Sequence, residues 1–152
     1  MKLVKYTKVY SVHVRKTINA PLKFVYDWCT DYQETDPDLT GSKTKRKNLL
    51  KTDEWAIYTE SYVSGGKEKT AVDVVRLLPP KAWHLDYVGD EDDETGDYIL
   101  TSLGPRKTRL DMTFTEHYKT AEFTPKGEFA KRVSMVWGMY AEALEKDYQS
   151  RP

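Results

Sequence analysis

The sequence predicts an α+β domain in which one curved antiparallel sheet wraps a long carboxy-terminal helix. Three observations point there: a helical apolar rhythm from Thr124 to about Gln149, a two-residue rhythm from residue 43 to about residue 117, and no crossover helix between those strands. Phe129, Val133, Val136, Trp137, Tyr140, Leu144 and Tyr148 recur at steps of three and four and so share one helical stripe. At ~1.5 Å per residue that helix is on the order of 35 Å long and needs a partner surface. Consecutive strands without crossovers form an antiparallel sheet, which must bend to supply one. The space between helix and sheet is the natural place for a ligand.

Taken in order, residues 8–19 alternate, with Tyr10, Val12, Val14 and Ile18 on the apolar side, as a half-buried strand does. Asn19-Ala20-Pro21 stops it, and the proline suits the first turn of a short helix that places Phe24, Val25 and Trp28 on one face. A second short helix is expected from Asp31, ending at Asp36-Pro37-Asp38 before a turn at Gly41-Ser42. Strands follow from Lys43 to Lys51 and from Trp55 to Ser64. Gly65-Gly66 then marks a hairpin, because both turn positions must accept positive φ.

Pairing Ser64 with Lys67 puts Trp55, Ile57, Thr59, Ser61 and Val63 on one face with Glu68, Thr70, Val72, Val74 and Arg76. That face is expected to look inward, and Tyr58, Glu60, Tyr62, Lys69 and Asp73 are expected to look at water. Leu78-Pro79-Pro80-Lys81 breaks the run, and Trp83, Leu85 and Tyr87 alternate with His84, Asp86 and Val88. Asp90 to Asp97 reads as an acidic, solvated hairpin tip. A strand from Tyr98 to Leu103 turns at Gly104-Pro105-Arg106-Lys107 into a last strand with Leu110, Met112, Phe114 and Glu116 inward. Thr124-Pro125 opens the long helix.

Composition narrows the function. A chain of 152 residues fits one domain, 1–152. No run approaches the ~20 apolar residues of a membrane span, and the mean hydropathy is −0.72. Met1 to Tyr10 has no apolar leader segment, so a cytoplasmic protein is expected. The 24 basic and 24 acidic residues cancel, which disfavours a nucleic-acid partner. Cys29 is the single cysteine, so neither an internal disulfide nor a multi-cysteine zinc site is available. His13, His84 and His117 fall opposite the apolar residues of their strands, and no metal site or other cofactor is expected.

Particular stretches carry a family likeness. Val14 to Trp28, with its Asn19-Ala20-Pro21 turn, and Asp31 after the helix resemble the opening strand, turn and first helix of the START/Bet v 1-like (SRPBCC) superfamily. Leu77-Leu78-Pro79-Pro80 is similar to the turn before that family's fifth strand, and the likeness runs from about residue 9 to 149. The resemblance, closest to the polyketide cyclase and lipid-transfer branch, implies the helix-grip fold: seven strands gripping the last helix, with two short helices after strand 1. It also implies an internal apolar cavity that holds lipids, polyketides or similar molecules, which some members transform and others only carry. Pollen-allergen members have a longer glycine-rich loop between their second and third strands, so no plant-hormone site is carried over.

The candidate ligand-binding residues are Trp55, Thr59, Arg76, Trp83, Tyr87, Met112, Glu116, Val133, Trp137 and Tyr140. A buried arginine needs a partner, and for Arg76 that is Glu116 or an anionic group of the ligand, unless the side chain snorkels to water. The leading reading is a cytoplasmic protein, monomer or homodimer, that binds one hydrophobic small molecule, neutral or anionic. A second is a cyclase or dehydratase with Glu116 as acid/base and Arg76 stabilising an enolate oxygen. A third is a protein-interaction module using an outer face around Tyr58, Tyr62 and the basic strand Lys43, Lys45, Arg46, Lys47 and Lys51, with a solid interior. Sequence alone does not choose between binding and catalysis.

Overall fold

The computed structural model describes Leu3 and residues 5–152; Met1, Lys2 and Val4, part of the segment read for a leader, lie outside the described residues. Seven strands form one antiparallel sheet: β1 (Lys8–Ile18), β2 (Lys45–Lys51), β3 (Trp55–Ser64), β4 (Lys67–Leu78), β5 (Ala82–Gly89), β6 (Asp92–Gly104) and β7 (Lys107–Tyr118). Their spatial order is β1-β7-β6-β5-β4-β3-β2, so every neighbour except β1–β7 is a sequential hairpin. Helix α1 (Leu22–Cys29) follows β1, and α2 (Lys126–Gln149) lies in the concave face.

The alternation in β1, β5 and β7 sends the expected side chains inward. Tyr10, Val12, Val14, Ile18, Trp83, Leu85, Leu110, Met112 and Phe114 are all buried. Phe129 and Leu144 are the two fully buried residues of the α2 stripe, while Val133, Trp137 and Tyr148 pack against the core from its edge. Polar ties fix the helix lengthwise: Lys16 Nζ donates to Ser134 Oγ at 2.9 Å, and Asn19 N–H donates to Glu145 Oε1 at 2.7 Å. Gly138, in mid-helix, faces the same lysine, whose Nζ would lie 3.9 Å from an added Cβ. Pro125, not Thr124, is the residue at the α2 N-cap.

The Gly65-Gly66 turn takes φ values of 58° and 76°, and Ser64 pairs with Lys67 and Trp55 with Arg76, as the two-glycine rule requires. The face assignment is the reverse of the expectation. Ala56, Tyr58, Ala71, Asp73, Val75 and Leu77 point into the core, whereas Trp55, Val63, Val72 and Arg76 are exposed. The reason lies one hairpin further on. The short connection through Pro79-Pro80 pairs Leu77 with Trp83, Val75 with Leu85 and Asp73 with Tyr87. Cross-strand partners share a face, so the inward Trp83-Leu85-Tyr87 row pulls Asp73, Val75 and Leu77 in with it.

Two further expectations change. The segment from Asp31 forms no α-helix; its place is taken by a single 3-10 turn, Asp36–Thr40, that begins where the helix was expected to end. Pro37 at its start fits such a turn, and Gly41 closes it with φ 69°. The acidic stretch is not a hairpin tip either, because β6 starts at Asp92 and only Asp90-Glu91 turns. Gly96 lies buried within that strand, where an added Cβ would stand 3.1 Å from the Tyr98 ring and 3.3 Å from Phe114. The missing side chain lets those two rings close over the strand.

Leu144 is 1 % exposed on α2, which packs on β1 and α1, whereas Met139 is 39 % exposed on the same helix. Leu144→Ala is expected to cost about 2–5 kcal/mol in urea unfolding. Met139→Ala should stay within about 0.5 kcal/mol; equal losses at the two positions would contradict this packing.

Candidate functional site

The concave face is too broad for one helix to fill, and a cavity of about 340 Å³ remains beside the middle of α2. Its walls come from five directions: α1, the loop after it, the β2–β3–β4 corner, β5–β6 and α2. A ring of aromatic side chains supports it. Trp83 stacks on Tyr98 with centroids 4.8 Å apart and planes 11° apart, and Tyr98 meets Trp137 at 5.6 Å. Trp137 in turn meets Tyr140 at 5.2 Å, and Tyr140 meets Trp28 at 6.4 Å.

Arg46 is the cation of this cavity. Its position in β2 turns the side chain inward, leaving it 9 % exposed. The guanidinium donates to Asp36 at 3.1 Å and to Glu60 at 3.2 Å and lies 4.2 Å from the Tyr58 ring centroid. Burial works against its charge, but Tyr58, Glu60 and Asp36 outweigh that and keep the guanidinium protonated. Tyr32, stacked on Tyr58 at 5.4 Å, adopts φ +46°, a left-handed conformation unusual for a bulky residue. Asn48 Nδ2 holds that backbone by donating to Tyr32 O at 2.9 Å.

Asp73 faces Arg46 from β4. It is 2 % exposed, and its Oδ2 has no hydrogen-bond partner within the protein. Burial and the Glu60 carboxylate push its pKa up to about 8, against the opposing pull of Arg46 and Tyr58. At neutral pH this carboxyl therefore carries a proton for much of the time and can donate a hydrogen bond.

A second pocket of about 480 Å³ opens where β6, β7 and the start of α2 meet, sharing Tyr87 and Glu94 with the first. Glu94 and Glu116 are direct cross-strand partners there. Glu116 is 1 % exposed, and burial together with the Glu94 carboxyl raises its pKa to about 9. Burial and Glu116 raise Asp92 to about 8. Glu94 is also raised, first by burial.

The ten sequence-predicted site residues divide cleanly by place. Tyr87, Trp137 and Tyr140 line the 340 Å³ cavity. Glu116 lines the second pocket, while Trp83 and Met112 are buried core and Val133 packs at the core's edge. Trp55, Thr59 and Arg76 stand on the outer face, with the Arg76 guanidinium 5.9 Å from the Trp55 ring. Arg76 thus cannot meet Glu116, and the acid/base pair built on those two residues falls. Tyr58 and Tyr62 point inward, so the outer interaction surface expected around them loses both tyrosines. Arg46, Tyr58 and Asp73 were missed, although carrying the Trp83 face across the Pro79-Pro80 turn would have found the last two.

His84 sits outside, its Nδ1 2.7 Å from Asp97 and its Nε2 3.1 Å from Asp86. Burial pushes the Cys29 thiol up, away from nucleophilic use. Among the described residues no cluster of histidine, cysteine and acidic side chains is arranged to hold a metal ion. No helix there is long and apolar enough to cross a membrane.

No family model matches the sequence, and no curated protein matches it. Solved structures do match over nearly the whole length. An aromatase/cyclase, ZhuI from Streptomyces sp. R1128, is 16 % identical, with a TM-score of 0.69 over 95 % of this chain and 96 % of that one. TTHA0849 from Thermus thermophilus is also 16 % identical, with a TM-score of 0.72 over 89 % and 97 %. A START superfamily protein from Mycobacterium smegmatis, again 16 % identical, has a TM-score of 0.67 over 91 % and 97 %. At such identities the likeness is one of fold: the chain has the START/Bet v 1-like helix-grip architecture.

The raised carboxyls bind their protons more tightly folded than unfolded. The folded state therefore holds more protons between the unfolded values near 4 and the folded values of about 8 for Asp73 and Asp92 and about 9 for Glu116. Stability falls as pH rises through that window. His84, raised by Asp97 and Asp86 despite burial, acts in the same sense above its ordinary value. The thermal midpoint is expected to climb by several degrees from pH 9 to pH 5, and Glu116→Gln or Asp73→Asn should flatten the climb. A midpoint level across that range in the parent protein would refute the assignment.

Proposed function

We propose that the chain, as one domain in the cytoplasm, binds a hydrophobic small molecule in the cavity between the curved sheet and α2. The observation that carries this reading is the pairing of an aromatic-walled space of about 340 Å³ with a buried carboxyl, Asp73, whose Oδ2 has no hydrogen-bond partner, at its wall. A buried polar atom costs free energy unless it finds a partner, and a carbonyl or hydroxyl of a bound molecule would supply one. Such a space is of the size that small ligands occupy. The lining does not favour an anion. Arg46 is its one guanidinium and already serves Asp36 and Glu60, while Asp73 and Glu94 add further carboxyls.

A second reading, catalysis of the cyclase or dehydratase type, is favoured by one specific feature. Asp73, poised at about 8 in a cavity that also holds the charged Arg46, has the protonation behaviour of a general acid/base. One of the similar structures is an aromatase/cyclase, which agrees with this chemistry without assigning it.

Native mass spectrometry of the purified protein should detect a retained small molecule. Tyr58→Ala and Asp73→Asn are expected to weaken its retention about tenfold, the scale of one lost buried hydrogen bond or aromatic contact. Trp55→Ala and Arg76→Ala, on the outer face, should leave it within about twofold. Asp73→Asn abolishing turnover of a candidate polyketide while leaving its binding intact would select the catalytic reading. Outer-face variants that disturb retention as much as the inner ones would overturn both.

A further inference from the structure

The second pocket has a chemistry of its own. Glu94 and Glu116 face one another across β6 and β7, and Asp92 lies two residues along the same side of β6. Like carboxyls placed this close repel one another when ionised, so the arrangement opposes folding unless something positive or a shared proton enters it. Glu116 is 1 % exposed and its Oε2 has no protein donor. The groups beside it are other carboxyls, which can satisfy that oxygen only by sharing protons.

The walls around these acids are aromatic. Tyr62, Tyr87, Tyr118, Phe123 and Phe129 line the same pocket and supply aromatic rings with which a cation can interact. Positive charge from the protein is scarce there. Arg132 of α2 is exposed and lies 5.8 Å from the Phe129 ring. Lys69 is engaged by Glu91 at 3.6 Å and Lys119 by Asp93 at 2.7 Å, and neither lines the pocket.

We propose that this pocket is a binding site for a protonated primary or secondary amine, its ammonium held by Glu116, Glu94 and Asp92 and its carbon body by the surrounding rings. An N–H cation fits better than a quaternary one, because the buried oxygen calls for a hydrogen-bond donor as well as a charge. The site stands independently of what occupies the neighbouring cavity, with which it shares only Tyr87 and Glu94. Binding would favour loss of a proton from the carboxyl cluster, one ammonium charge offsetting one carboxylate while the others share protons. Glu91 and Glu122 strengthen the attraction, Arg132 opposes it, and Tyr62 and Tyr87, whose hydroxyls burial pushes up, stay neutral.

The test is an amide-resolved NMR titration of the full chain with phenethylamine, 2-phenylethanol, tetramethylammonium, and calcium or magnesium chloride. Phenethylamine is expected to shift residues around Glu94, Glu116 and Phe129 and to bind more tightly at pH 8.5 than at pH 6. Glu116→Gln should weaken it about tenfold or more, as loss of a charged hydrogen bond does. Arg132→Ala, an exposed change that leaves the fold alone, should tighten it. Glu94→Gln replaces the first variant if that one does not fold. Equal binding of 2-phenylethanol, binding of the metal ions without the amine, or shifts confined to Arg46, Tyr58 and Asp73 would overturn the proposal. So would unchanged affinity in the variants. Failure here with a ligand still retained in the first cavity would leave the earlier reading intact.

Discussion

The fold turns on the aromatic stack that joins the middle of α2 to the middle of the sheet. Trp83 lies flat on Tyr98, Tyr98 meets Phe114 edge-on at 5.5 Å, and Trp137 reaches down from the helix onto the same ring. Rings of this size bury large apolar areas and also keep the backbones apart. They hold the helix off the pleats, and space beside them remains open. Smaller residues at these positions would let the helix settle closer and close the cavity. Gly96 belongs to the same arrangement, since it makes room for two of the rings on the strand that carries them.

That choice places charge in low dielectric. Arg46, Asp36, Glu60 and Asp73 at one end, and Asp92, Glu94 and Glu116 at the other, sit where apolar residues would be more stable. The two ends solve the problem differently. Around Arg46 an ion-pair network forms, with distances of 3.1 and 3.2 Å. Around Glu116 no protein cation is buried alongside among the described residues, and the carboxyls respond by keeping their protons. Buried polar groups with perturbed protonation are the features from which a site is argued.

The shared architecture and the private lining carry different information. Strand order, curvature and the carboxy-terminal helix match structures whose sequences are only 16 % identical, because many apolar combinations satisfy the same pattern of burial. The inward polar residues are not required by that pattern of burial, so they are the part of the chain from which function is argued.

By itself the sequence determined what depends on local periodicity and turn chemistry. The α2 stripe, the β3 and β4 limits, the Gly65-Gly66 register and the inward rows of β1, β5 and β7 were legible because each follows from neighbours a few residues away. The hairpin's own residues do not decide which of its faces is inside, since both faces mix apolar and polar residues and a rigid hairpin can be turned over whole. Only docking against β5 settled that, and with it Arg76 went out and Tyr58 and Asp73 came in. The acidic run misled for a related reason. Charge density reads as solvated loop, yet pairing with β7 extends the strand to Asp92 and tucks Glu94 against Glu116. The site was thus written by long-range pairing, which brings together residues separated by tens of positions whose types, taken singly, point to the surface.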